Sequence, residues 1–103
     1  MDERQSDTHT VRGVAEVATP QADRYLVQLC KHFAHKRPVT FDERSGHIAF
    51  SAGDCHLAAA DGVLRLTVAA PDESQLAQVQ DVVARHLLRF SFREEMHIAW
   101  RTA

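Results

Sequence analysis

Between Val39 and Ala69 the chain alternates apolar and polar residues with a period of two, interrupted at Ser45-Gly46, at the run "AGD" over Ala52 to Asp54, and at Asp61-Gly62. That alternation places successive side chains on opposite faces of a strand, and the interruptions are turn sequences, so the stretch is predicted to form three consecutive hairpins. Any fold containing it needs a largely antiparallel sheet. With two-residue turns at Ser45-Gly46, Ala52-Gly53 and Asp61-Gly62, the expected register sets Arg44 opposite His47, His56 opposite Ala49, His47 opposite Ala58, Ala58 opposite Arg65 and His56 opposite Thr67. One face then carries Phe41, Ile48, Phe50, Cys55, Leu57, Ala59, Leu64, Leu66 and Val68 and is the expected core. The other carries Asp42, Arg44, His47, Ala49, His56, Ala58, Arg65 and Thr67.

The flanking segments complete the architecture. "TVRGVAEVA" has the same period and reads as a first strand. "TPQADRYLVQLCKHFAHKRP" reads as a helix over residues 20–36, with Thr19 as cap, Pro20 at the first helical position and Pro38 as the stop. Its apolar positions Tyr25, Leu26, Leu29, Cys30 and Phe33 form one stripe. A second helix opens at Pro71 or Asp72 and ends near Phe92, burying Leu76, Val79, Val83, His86, Leu87 and Phe90. "MHIAW" is expected to close the chain as a strand with Met96, Ile98 and Trp100 inward and His97 outward. The order β-α-β-β-β-β-α-β, with two amphipathic helices covering one sheet face, specifies a two-layer α+β sandwich. Its 103 residues suit one domain over residues 9–103, preceded by a polar N-terminus, residues 1–8, expected to be disordered.

Charge and hydropathy exclude several functions. A formal net charge of −2 supplies no basic field for nucleic acid. The start "MDERQSDTHT" has no apolar run for a secretory signal, and no stretch approaches the ~18 apolar residues of a membrane span. A cytoplasmic location is expected, where Cys30 and Cys55 would remain buried free thiols.

The run "LCKHFAHK", Leu29 to Lys36, has the vocabulary of a metal site. Helix residues turn by about 100° each, so Cys30 and His32 point apart by about 200° and cannot share an ion. His32 and His35, three apart, remain as a pair of candidate metal ligands needing a third. The alternative is a solvated basic face near a helix C-terminus, which the helix dipole favours.

His86 lies within an apolar stripe, where a histidine is more often a hydrogen-bonded core residue than a ligand. Arg85, Arg89 and Arg93 recur at intervals of four beside Glu94 and could clamp a phosphate or carboxylate, or form a solvated ladder. The outer sheet face is the least ordinary surface. There His47 and His56 are expected as diagonal neighbours, with Arg44 and Arg65 nearby and Ala49 and Ala58 leaving room for a flat or anionic ligand or a dimer partner. No Ser-His-Asp arrangement, glycine-rich phosphate loop, paired-cysteine zinc pattern or HExxH motif is present.

The segments "RYLVQLCKHFAHK", "GHIAFSAGDCHLAA" and "VQDVVARHLLRFSFREE" resemble the bacterial family known as domain of unknown function 2218, over about Arg24 to Trp100. The most specific runs are Leu29 to Lys36 and His86 to Glu94. The resemblance carries over Cys30, His32, His35, His86, Arg89, Arg93 and Glu94 as motif residues. It implies a role in bacterial iron handling, with a flavin-dependent siderophore-interacting reductase as partner, and assigns no cofactor. The expected function is a small non-enzymatic binding or accessory domain in iron or siderophore metabolism. The alternatives are an interaction domain that forms a homodimer through the sheet face and a small-molecule enzyme using histidine.

Overall fold

In the computed structural model, which describes residues 10–103, the hairpin run is present and all three connections are two-residue turns. Asp61 and Gly62 both adopt positive φ, 54° and 73°, the conformation that a tight hairpin turn matched to strand twist requires. This turn joins β4 (Asp54–Ala60) to β5 (Val63–Ala70), with Ala58 opposite Arg65 and His56 opposite Thr67 as expected.

The other two turns lie elsewhere than the dipeptides suggest. Phe50 and Gly53 exchange backbone hydrogen bonds of 2.7 and 3.3 Å, so the turn between β3 (Ser45–Ala49) and β4 is Ser51-Ala52. His47 therefore faces His56, and Ala49 faces Asp54. The turn before β3 is Glu43-Arg44. Asp42 fixes it, its Oδ1 accepting from the backbone N–H of Arg44 at 2.8 Å and of Ser45 at 2.9 Å, and these donors hold its carboxyl below the usual range. Consequently Thr40 on β2 (Val39–Phe41), rather than Arg44, lies opposite His47. Moving a two-residue turn by one position moves the register by two, which leaves every side chain on its face. The faces are therefore as expected although two registers are not, save that Phe41, expected in the core, is 39% exposed on the edge strand and Arg44 lies in the turn.

Gly46 serves a different purpose from a turn glycine. A Cβ there would lie 2.7 Å from Cys30 Sγ and 3.2 Å from Phe41 Cβ, so its lack of a side chain lets the first helix approach β3. That helix, α1 (Ala22–Ala34), is shorter than residues 20–36. Thr19 is not its cap. Gln21 holds that position, and Thr19 Oγ1 accepts from the Gln21 N–H. The second helix, α2 (Glu73–Phe90), is capped by Asp72, whose side chain accepts from the Gln75 N–H at 2.8 Å.

Residues 96–100 do not pair as a strand, although their half-buried and exposed side chains alternate as expected. Met96, Ile98 and Trp100 pack against the core. The pairing segment is β6 (Arg101–Thr102), which joins β1 (Val11–Ala18). The six-stranded sheet has the order β2-β3-β4-β5-β1-β6 with antiparallel pairing throughout. Both helices pack on one face, which makes a two-layer α+β sandwich. Its core contains Leu26, Leu29, Leu57, Leu66 and Val83, together with Cys30 and Cys55, both buried and unpaired. Burial pushes the Cys30 thiol up to about 11, and that of Cys55 higher still. The expectation for residues 1–8 lies outside the described residues.

Candidate metal centre

The face left uncovered by the helices carries the side chains that alternate outward from β2 to β5. Because His47 and His56 are directly opposite on adjacent strands, their rings stack, with centroids 4.5 Å apart and planes 28° from parallel. Asp54 rises from the same face two residues before His56, and the His47 Nε2–H donates to its Oδ2 at 3.2 Å. One ligand atom from each of His47, Asp54 and His56 lies within 4.8 Å of the other two. Ligands of a single zinc ion lie about 3–3.5 Å apart, given bonds of about 2.0–2.2 Å, so binding an ion requires the side chains to rotate and the stacked rings to tilt toward it. Among the described residues this is the sole group of three potential ligands so placed.

Two imidazoles and one carboxylate suit a first-row divalent ion such as zinc or ferrous iron. All three donors rise from one face of one sheet, so they occupy one side of the ion and leave its outward positions open. Beside the histidines a shallow concavity of about 590 Å³ extends over Ala58, bordered by Thr40, Ser45, Arg65 and Thr67. The Arg65 Nε lies 3.9 Å from the Glu16 carboxylate.

The other expected site residues fall in different places. Arg44 is in the Glu43-Arg44 turn and does not border the concavity. His32 and His35 both stand at the C-terminal end of α1, and among the described residues no third potential ligand joins them. His35 terminates α1, whereas the His32 ring lies 4.8 Å from that of His86 across the seam between the helices, close to Phe33 and Phe90. His86 donates from Nδ1 to the Val82 carbonyl at 2.7 Å, the backbone-bonded role expected of a histidine in an apolar stripe. The arginine row is also dispersed: Arg85 pairs with Asp81 at 2.9 Å, and Arg93 lies beyond the helix over the Phe92 ring. Arg89 lies near His32. The Glu94 carboxylate accepts from Thr19 Oγ1 at 2.9 Å and from the Tyr25 hydroxyl, an intramolecular clasp remote from the outer face.

Contact with Phe33, His86 and Phe90 removes part of the water around the otherwise exposed His32 ring, and His86, His35, Arg89 and Lys36 oppose its positive charge, so its pKa is held below the usual histidine value. The unfolded chain thus takes up this proton at a higher pH than the folded one does. The contribution to stability is complete above about pH 6.5 and is lost as the pH falls through the folded value. Thermal unfolding measured between pH 8 and pH 5 should show the midpoint of His32→Gln falling less than that of the parent. Equal slopes would show that the seam carries no such linkage.

Asp54 is absent from the residues expected on the outer face, because in the sequence it falls within the interrupting run "AGD". The signal was the spacing Asp54-Cys55-His56, which puts a carboxylate and an imidazole on one face of any strand that contains both.

Residues 14–101 match the family described as an uncharacterized protein conserved in bacteria (DUF2218). The chain belongs to this family. It is also similar to PA4090 of Pseudomonas aeruginosa, whose NMR structure superposes with a TM-score of 0.76 at 38% sequence identity, covering 88% of this chain and 95% of that one. No curated protein matches the chain. Among the described residues, no helix is long and apolar enough to cross a membrane.

Proposed function

We propose that this DUF2218 domain is a metal-binding accessory module whose outer sheet face holds one divalent first-row transition ion on His47, Asp54 and His56. The observation that carries this reading is the convergence of three potential ligand atoms within 4.8 Å on adjacent strands. The hydrogen bond from His47 to Asp54 is also the arrangement of a general base oriented by a carboxylate. A second imidazole with a ligand atom within 4.8 Å of the other two, which a base–carboxylate pair does not need, favours ion binding over acid–base catalysis.

Ferrous iron is the member of this ion class that connects the site with bacterial iron handling. The partner we propose is a flavin-dependent siderophore-interacting reductase, because reduction of a ferric siderophore yields an ion that the His-Asp-His donor set can accept. Calorimetric titration of zinc, and of ferrous ion without oxygen, should give one ion per chain with micromolar or tighter affinity, unchanged in His32→Ala/His35→Ala. No heat of binding in the parent would reject the reading. Loss of binding in the double variant would move the site to α1.

A further inference from the structure

We propose that the metal-loaded site takes a small anionic chelator, a molecule with two neighbouring oxygen donors such as a dicarboxylate, which completes the ion's coordination from the concavity beside it. The proposal rests on the metal-binding reading and adds the class of molecule that reaches the ion.

Three features support it. With all the protein donors on one side, the ion presents adjacent open positions outward, the arrangement that a bidentate ligand occupies. A divalent ion with a single carboxylate ligand retains positive charge, which an anion neutralises. The third feature is the shape of the face next to the histidines. Ala58, directly between Ser45 and Arg65 across the strands, leaves a floor without a bulky side chain. The Arg65 guanidinium stands at its edge, more than half exposed, with Glu16 at 3.9 Å, beyond hydrogen-bonding distance. Thr67, opposite His56, and Ser45 add hydroxyls to the border. A planar fork of N–H donors beside the open side of a cation matches a carboxylate whose far oxygens point away from the ion.

Cobalt(II) in place of the native ion reports both steps through its visible absorption. Cobalt is titrated into the parent, Arg65→Gln and Ala58→Leu proteins, and oxalate is then added to each cobalt-loaded sample. All three should bind cobalt alike, since neither changed residue is a ligand. Oxalate should alter the bands of the parent at low concentration, and both variants should need at least about tenfold more. Equal oxalate affinity in all three would overturn the proposal, as would removal of cobalt as the free oxalate complex. Failure of the parent to bind cobalt would instead reject the metal-binding reading, and the chelator proposal with it.

Discussion

His47→Ala and His56→Ala are each expected to weaken zinc binding at least about 100-fold, equivalent to about 2.7 kcal/mol, and to leave the unfolding midpoint of the metal-free protein nearly unchanged. The separation of the two readouts follows from the face these residues occupy. His56 is exposed and His47 half-buried, so truncation creates no core cavity, and surface changes of this kind usually stay within about 0.5 kcal/mol. An ion left with one imidazole and Asp54 loses half of its nitrogen donors. Calorimetry on the variants, together with thermal unfolding with and without zinc, tests both parts. If either alanine variant bound zinc within threefold of the parent, that histidine would not be a ligand. A large loss of metal-free stability would show that the stacked rings serve the fold.

Glu94→Ala is expected to destabilise the protein by about 2–4 kcal/mol, since two hydroxyls now donate to a carboxylate and hydrogen bonds to charged groups contribute about 1.5–3 kcal/mol each. Thr19, only 2% exposed, would lose its acceptor where water has poor access. The clasp ties the chain after α2 to the beginning of α1, joining the two helices at residues 75 positions apart. A double-mutant cycle with Tyr25→Phe, followed by chemical denaturation, should give a coupling well above zero, and additive losses would show that the contacts are independent. The hydrogen bond to Glu94 also raises the Tyr25 pKa. Its contribution should be full below about pH 10 and lost as the pH rises through the folded value.

The fold was legible because two periods, two and about 3.6, assign faces without requiring the turns to be placed correctly. Asp61-Gly62 was found because both residues tolerate the backbone it needs. Ser45-Gly46 misled because the same glycine is required for a different reason, the approach of Cys30, which only the packed structure reveals. Displaced turns preserved the faces but changed which outward residues are opposite one another. The histidines were thus expected to be diagonal and are stacked, and Arg44 was expected beside a site from which the turn removes it. Register across a bare face is weakly specified by hydrophobic pattern, so it was the site rather than the core that the sequence left open. The last strand was misplaced for a related reason. Met96, Ile98 and Trp100 alternate against the core without a neighbouring strand to pair with.

The position of β1 bears on the order in which the molecule assembles. β1 precedes the other described strands in sequence, yet it lies between β5 and β6, pairing Val11 with Ala70 and Gly13 with Thr102. It has no sheet partner until most of the chain is available, and closing such long loops is the slow part of folding a sheet. The hairpins that carry His47, Asp54 and His56 need only two-residue closures, and hairpins form within about 1–10 μs. The face that carries these three residues is therefore expected to take shape ahead of the slot that receives β1. An ion held there as proposed would clamp β3 to β4 during folding, before β1 has met β5 and β6.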